Sequence, residues 1–327
     1  MVDARRRNLK MWQARCNAAC NMRATFVRAP LVAASRHVFS VDVEEYFQVG
    51  AFERVIEPGA WDSMPTRLAG PIFLLLDLLA RFGARGTFFT LGWVAARYPE
   101  IVQRIAAAGH EIGSHGWSHR RVTGLSPSDF RDEVRRSKAV LEDLIGRPVL
   151  GFRAPNFSIG PRNEWAFDVL IEEGYSYDSS VFPIRRPDYG DPDAPTEPHL
   201  IQRPGGTLIE LPLTTTMVLG ARLPAAGGAY LRHLPYALIR RAFREQENRG
   251  VPGVFYIHPW ELDPDQPRLQ VTRLTSLRHY GGLHRSSPRI ERLLKEFQFT
   301  SAQEILGLSR TVDYRLPSDV AVVEARP

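Results

Sequence analysis

Short apolar runs alternate with longer, helix-spaced apolar stretches along most of this chain. Residues 38–43 form the first short run, and it ends in a cluster of acids, Asp42, Glu44 and Glu45. Residues 68–82 follow as a long, sparsely charged stretch stopped by Gly83, which predicts a buried helix. The aromatic segment 86–90 reads as a strand. Residues 99–108 predict an amphipathic helix closed by Gly109, leading into a strand at 110–114. Ser126, Pro127 and Asp129 together mark a helix start, and Gly146 stops that helix near Ile145. A strand at 149–152, a helix at 161–173 and a strand at 175–178 come next. Residues 183–206, rich in Pro, Gly and Asp, predict an excursion loop. Beyond them lie a strand at 207–211, a helix at 234–249 and a strong strand at 253–258. Residues 262–286 are polar and irregular, 288–297 read as a final helix, and 300–306 as a further short one.

Strands alternating with helices of this length imply parallel strands joined by helical crossovers. Six or seven such units predict an α/β fold, a closed or nearly closed barrel. The expected organisation is a tail at 1–37, a barrel domain at 38–261 and an irregular extension at 262–327 packing on it.

Composition changes this picture little: 44% hydrophobic and 24% charged residues suit an ordinary globular chain. Charge location is more telling. The net +6 resides in residues 1–37, where eight basic residues face Asp3 alone, and the remainder is nearly neutral. A nucleic-acid binder needs a basic face on its folded domain, so no nucleic-acid partner is expected. Cys16 and Cys20 also lie in the tail, which leaves the body without a disulfide framework or thiolate metal site. No apolar run reaches the roughly 18 residues of a transmembrane helix. Arg23 and Arg28 interrupt every leader-like core. The tail is read as disordered and the location as cytoplasmic.

His115 and His119, four apart just after a predicted strand, can meet one metal ion. Paired histidines also occur as plain surface groups, so the neighbours matter. Asp42 and Glu44 alternate along extended chain and point to the same side. One carboxylate can hold a metal while the other accepts a proton from water, the division that metal-assisted hydrolysis requires. Arg153 stands at a strand end, where a guanidinium can grip a carboxylate. Asp178 and His258 follow apolar strands, and in parallel barrels that end carries the chemistry. Glu210 and Glu261 read as structural.

Five segments in order, Ser40-Val41-Asp42-Val43-Glu44, His115 to His119, Arg153-Ala154-Pro155, Asp178-Ser179-Ser180 and His258-Pro259-Trp260, resemble the motifs of polysaccharide deacetylases, the NodB-homology family or carbohydrate esterase family four. The opening FSVDVEEYFQV and the later YGGLHRSSPRIERLLKEF further resemble an exosortase-associated exopolysaccharide subgroup. The resemblance implies a distorted (β/α)7-8 barrel and hydrolysis of N-acetyl groups on a polysaccharide, with a divalent ion, zinc first among them. It implies Asp42 as base, His115 and His119 as metal ligands, Arg153 as the residue holding the base, Asp178 as the group orienting the acid, and His258 as that acid. One departure stands out. Val43 occupies the position of the family's metal-binding aspartate, so Glu44 becomes the expected third ligand and Glu45 the reserve. Phe182 replaces the usual Trp of the fourth motif. Trp117, Phe157, Phe182 and Trp260 are the candidates for stacking on sugar rings, although aromatics near strand ends are often core. The rival readings are a peptidoglycan-deacetylase or allantoinase-like C–N hydrolase, and a non-catalytic glycan-binding relative.

Overall fold

The computed structural model describes residues 27–32, 36–186 and 189–308. Most of the expected basic tail, with Cys16 and Cys20, lies outside the described residues.

Strand β1 (Val27–Arg28) is followed by β2 (His37–Val43), whose seven residues are all buried. Helix α1 (Ala69–Arg81), β3 (Thr87–Thr90), α2 (Gly92–Arg97), α3 (Pro99–Ala107) and β4 (Glu111–Ser114) come next. Then follow α4 (Pro127–Ile145), β5 (Gly151–Phe152), α5 (Trp165–Glu172) and β6 (Tyr177–Asp178). The second half holds β7 (His199–Arg203), β8 (Gly206–Glu210), β9 (Thr215–Val218), β10 (Ala221–Pro224), α6 (Gly228–His233), α7 (Tyr236–Asn248) and β11 (Val254–Ile257). It ends with α8 (Arg273–Tyr280), α9 (Ser286–Glu296), β12 (Phe299–Thr300) and α10 (Ala302–Ile305).

Local chemistry sets the boundaries. The Ser126 hydroxyl accepts from the Asp129 N–H at 3.1 Å while the Asp129 carboxylate accepts from the Ser126 N–H at 3.4 Å, a capping box at the start of α4. Gly146, at φ 66°, ends the same helix in the left-handed region. Buried Ile72, Leu75, Leu76, Leu78 and Leu79 give α1 its core-facing stripe.

The sheet runs β8-β6-β5-β4-β3-β2-β11 with every neighbouring pair parallel, as the strand–helix alternation predicts. Residues flanking the β9–β10 hairpin run beside β11. Val254 N–H donates to Thr214 Oγ1 at 2.6 Å, and Tyr256 N–H donates to the Ala226 carbonyl at 2.8 Å. Strands buried on both faces read as continuous apolar runs, which is why β2, β3 and β11 are visible in the sequence.

Four regions differ from expectation. Val27 and Arg28, assigned to the tail, pair with β7, and Ala29 beside them is buried. The excursion loop contains β7, which pairs antiparallel with β8. The β9–β10 hairpin turns at Leu219 and Gly220, both at positive φ (49° and 79°). A leucine in such a turn lacks the Asn-Gly or Asp-Gly signal that marks a hairpin. Residues 262–286, expected to be irregular, hold α8, which Thr272 caps by accepting from the Thr275 N–H, and Phe299–Thr300 pair with β2 as β12.

Candidate active site

The parallel ladder brings the candidate groups to the C-terminal ends of its strands. Asp42 lies in β2 and Glu44 just past it, His115 follows β4, Arg153 follows β5, Asp178 closes β6 and His258 follows β11. A cleft of about 600 Å³ opens there, lined among others by Asp42, Glu44, His115, His119, Phe157 and His258.

Glu44 Oε2 lies 2.6 Å from His119 Nε2 and 4.0 Å from His115 Nε2. The three donor atoms stand within 4.8 Å of one another. His115 Nδ1 is 2.8 Å from the Arg153 carbonyl, which can only accept, so Nδ1 carries the proton and Nε2 presents its lone pair to the cleft. Burial lowers the His115 pKa to about 4, keeping the ring neutral. Burial opposes charge on Glu44, yet the imidazoles of His119 and His258 bring its carboxyl down to about 2. The connecting loop is held by Glu133 of α4, which accepts from the N–H groups of Trp117 (3.0 Å) and Ser118 (2.9 Å). Gly116 and His119 take positive φ, 76° and 54°, and these bends let both imidazoles return to Glu44.

Beside this triangle, Arg153 is completely buried and donates to Asp42 Oδ1 at 2.7 Å and Ser40 Oγ at 2.8 Å. It also donates to Ser179 Oγ and the Ser179 carbonyl, and its guanidinium sits 4.2 Å above the Phe89 ring. Asp42 therefore has one oxygen fixed; the other, Oδ2, is 3.9 Å from His258 Nε2. His258 Nε2 also stands 3.6 Å from Glu44 Oε1, and its Nδ1 lies 3.0 Å from Glu261 Oε1. Glu261 in turn meets the buried Arg232.

Several expected placements change. Asp178 accepts from the Ser180 hydroxyl at 2.6 Å and the Ser180 N–H at 3.2 Å, not from His258. Burial raises its pKa to about 6 beside Glu210, whose own carboxyl is pushed well above its ordinary value. Strands β3, β4 and β5 separate β6 from β2 along the sheet, while β11 flanks β2 on the other side. The carboxylate at His258 Nδ1 comes instead from the following turn. Glu45 points away: its carboxylate accepts from Thr66 and from the Arg67 N–H at 3.1 Å. Trp117 is not in the cleft but against α2 and α4, with the Arg136 guanidinium 3.4 Å from its ring. Phe182 is fully buried, packed against Phe157 and Tyr189. Phe157 and Trp260 do line the cleft. Trp260 is stacked between His258 and His279 at centroid distances of 5.0 and 4.1 Å, and its Nε1–H donates to Glu44 Oε1 at 3.4 Å. Sequence reading missed Arg232 altogether and took Glu261 as structural. The three-residue spacing of His258 and Glu261 was the available signal for the second.

Known proteins divide along the same lines. Residues 61–176 match the polysaccharide deacetylase family, and residues 179–307 match a domain of unknown function, DUF3473. A peptidoglycan-N-acetylglucosamine deacetylase of Bacillus cereus is 30% identical over 120 residues, covering 32% of this chain and 42% of that protein. A chitin deacetylase of Pestalotiopsis sp. is 36% identical over 104 residues, 31% of this chain and 34% of that protein. The chain thus spans less than half the length of these relatives. A crystal structure from Mycobacterium smegmatis, provisionally described as a polysaccharide deacetylase, superposes with a TM-score of 0.59 at 21% identity, covering 92% of this chain and 98% of that one. Residues 61–176 are thus similar to the polysaccharide deacetylase family, and the described chain shares the fold of the Mycobacterium smegmatis structure.

Proposed function

We propose that this protein is a metal-dependent N-deacetylase acting on amino sugars of an N-acetylated polysaccharide. The observation that carries the reading is the Glu44–His115–His119 triangle standing beside the Arg153-fixed Asp42. The triangle suits a divalent ion: Glu44 Oε2 is buried and faces the two imidazole nitrogens, and two neutral-capable imidazoles with one carboxylate form a nitrogen–oxygen donor set of zinc type. When bound, such an ion supplies Lewis acidity toward an acetamide carbonyl and acidifies water.

The chain's own groups supply the rest. Arg153 holds Asp42 with one oxygen fixed and one facing the cleft, where it takes a proton from the attacking water. Oxygen of that water joins the acetamide carbon, and the carbon–nitrogen bond then breaks. His258, whose Nε2 faces the same space, gives a proton to the departing amine, leaving acetate and a free amino sugar. Phe157 and Trp260 offer apolar walls to the ring. The relatives named as peptidoglycan and chitin deacetylases support amide hydrolysis on an N-acetylated glycan. Zinc as the ion and a role in exopolysaccharide assembly belong to the same proposal and rest on the sequence resemblance. Among the described residues no helix is long and apolar enough to cross a membrane.

The test is acetate release from N-acetylglucosamine oligomers by zinc-loaded protein, alongside zinc content. His115→Ala should lose both tight zinc binding and acetate release. A folded variant that keeps full activity overturns the reading.

A further inference from the structure

A histidine that must hand over a proton needs its ring oriented and its tautomer fixed, and a carboxylate on Nδ1 does both. The expected partner, Asp178, is engaged with Ser180 and Glu210. Glu261 occupies the place instead. Its Oε1 lies 3.0 Å from His258 Nδ1 and accepts from the His258 N–H at 3.2 Å, so one oxygen fixes both ring and backbone of the same residue. A carboxylate can only accept, so the Nδ1 proton points at Glu261 and Nε2 is directed at the cleft.

Glu261 is itself fixed. Both it and Arg232 are almost wholly buried, at 1% and 0% exposure, and the two meet through Glu261 Oε2. Arg232 also donates to the carbonyls of Gly281 (3.1 Å), Arg278 (3.3 Å) and His279 (3.2 Å), gripping the C-terminal end of α8. Room for the carboxylate is made by Gly228, where any Cβ would lie 2.4 Å from the Glu261 oxygens. The ring of His279 then stacks on Trp260, which stacks on His258.

We propose that Glu261 is the positioning residue for His258 and that Arg232 locks it to the segment around residues 278–281, so that the region matching a domain of unknown function completes the acid half of the site. This rests on the deacetylase reading above. Every link lies within residues 228–281, inside that region.

Leaving-group chemistry separates positioning from mere folding. Amide cleavage expels an amine that must be protonated; an aryl acetate expels a phenolate that needs no proton. Glu261→Gln keeps the shape of the side chain and removes its charge. With zinc-loaded protein, the variant should lower kcat for an N-acetylglucosamine oligomer by about a hundredfold with little change in KM, and lower hydrolysis of 4-nitrophenyl acetate far less. Arg232→Lys should show the same selectivity to a smaller degree. A readout independent of turnover is the histidine 15N spectrum of metal-free protein, where Glu261→Gln should weaken the Nδ1–H preference of His258. Equal losses on amide and ester, or no loss on either, overturn this proposal and leave the deacetylase reading standing. Wild-type protein that releases acetate from neither probe overturns both.

Discussion

The two halves of the cleft are fixed by different means. In the first, Asp42, His115 and Arg153 stand in or just past the strands of a contiguous ladder from β2 to β5, with Glu44 and His119 shortly beyond, and the partners of Asp42, His115 and Arg153 are main-chain carbonyls, serines and each other. In the second, His258 depends on Glu261, Arg232 and the end of α8, a set of side chains drawn from a turn and two short helices. The first half has its two histidines and Arg153 within the match to polysaccharide deacetylases, whereas the second lies wholly within the domain of unknown function. Asp42 and Glu44 precede both matched regions. A strand ladder fixes its end groups through backbone pairing. A side-chain chain can be rebuilt with different partners, which is how a glutamate three residues away can stand where an aspartate from another strand was expected.

The largest effect should come from the first half. Asp42→Asn keeps the side-chain shape but removes the proton acceptor, and acetate release should fall by about 10²–10⁴-fold with zinc content unchanged. Arg153→Met breaks a buried ion pair from one side and leaves Asp42 uncompensated, a cost of about 3–5 kcal/mol readable in urea unfolding. An unfolding midpoint that does not move would show the ladder, and not the pair, to be the anchor.

Acid should act away from the cleft as well as within it. His37 Nδ1 accepts from the Gly253 N–H and His110 Nδ1 from the Gly86 N–H, bonds that require an unprotonated nitrogen. Burial lowers both pKa values from 6.5 to about 4. The unfolded chain therefore takes up protons first, so their contribution to stability is complete above about pH 6.5 and is lost as pH falls toward 4. Urea midpoints measured across that range should fall steadily, and His110→Asn should flatten part of the slope. The smallest effect distinguishes two tryptophans. Trp260→Phe removes the donor to Glu44 and should weaken zinc binding about tenfold. Trp117→Phe, on the α2–α4 side, should leave zinc affinity unchanged in the same titration.

The parallel ladder was legible in the sequence because doubly buried strands are continuous apolar runs and because helix ends carry their caps, Ser126 and Gly146 among them. Residues at strand ends were legible for the same reason: once β2, β4, β5 and β11 are found, Asp42, His115, Arg153 and His258 follow. Partnerships formed by packing were not. Nothing in the spacing of Arg232 links it to Glu261, since their contact depends on how α6 lies against the turn after β11. The orientation of Trp117 turned on Glu133 holding its loop from α4. Short strands such as β1, β7 and β12 escaped because their pairing comes from distant chain, not from local pattern.

β2 has a temporal consequence as well. Its partners β11 and β12 begin at Val254 and Phe299, more than 200 residues downstream of its own start at His37. During synthesis at roughly 5–20 residues per second, one flank of this strand waits many seconds for a neighbour. An unpaired, largely apolar edge is a template for wrong pairing between chains. The strand that bears Asp42 is therefore made before β11 and β12 and is completed only when both have joined it.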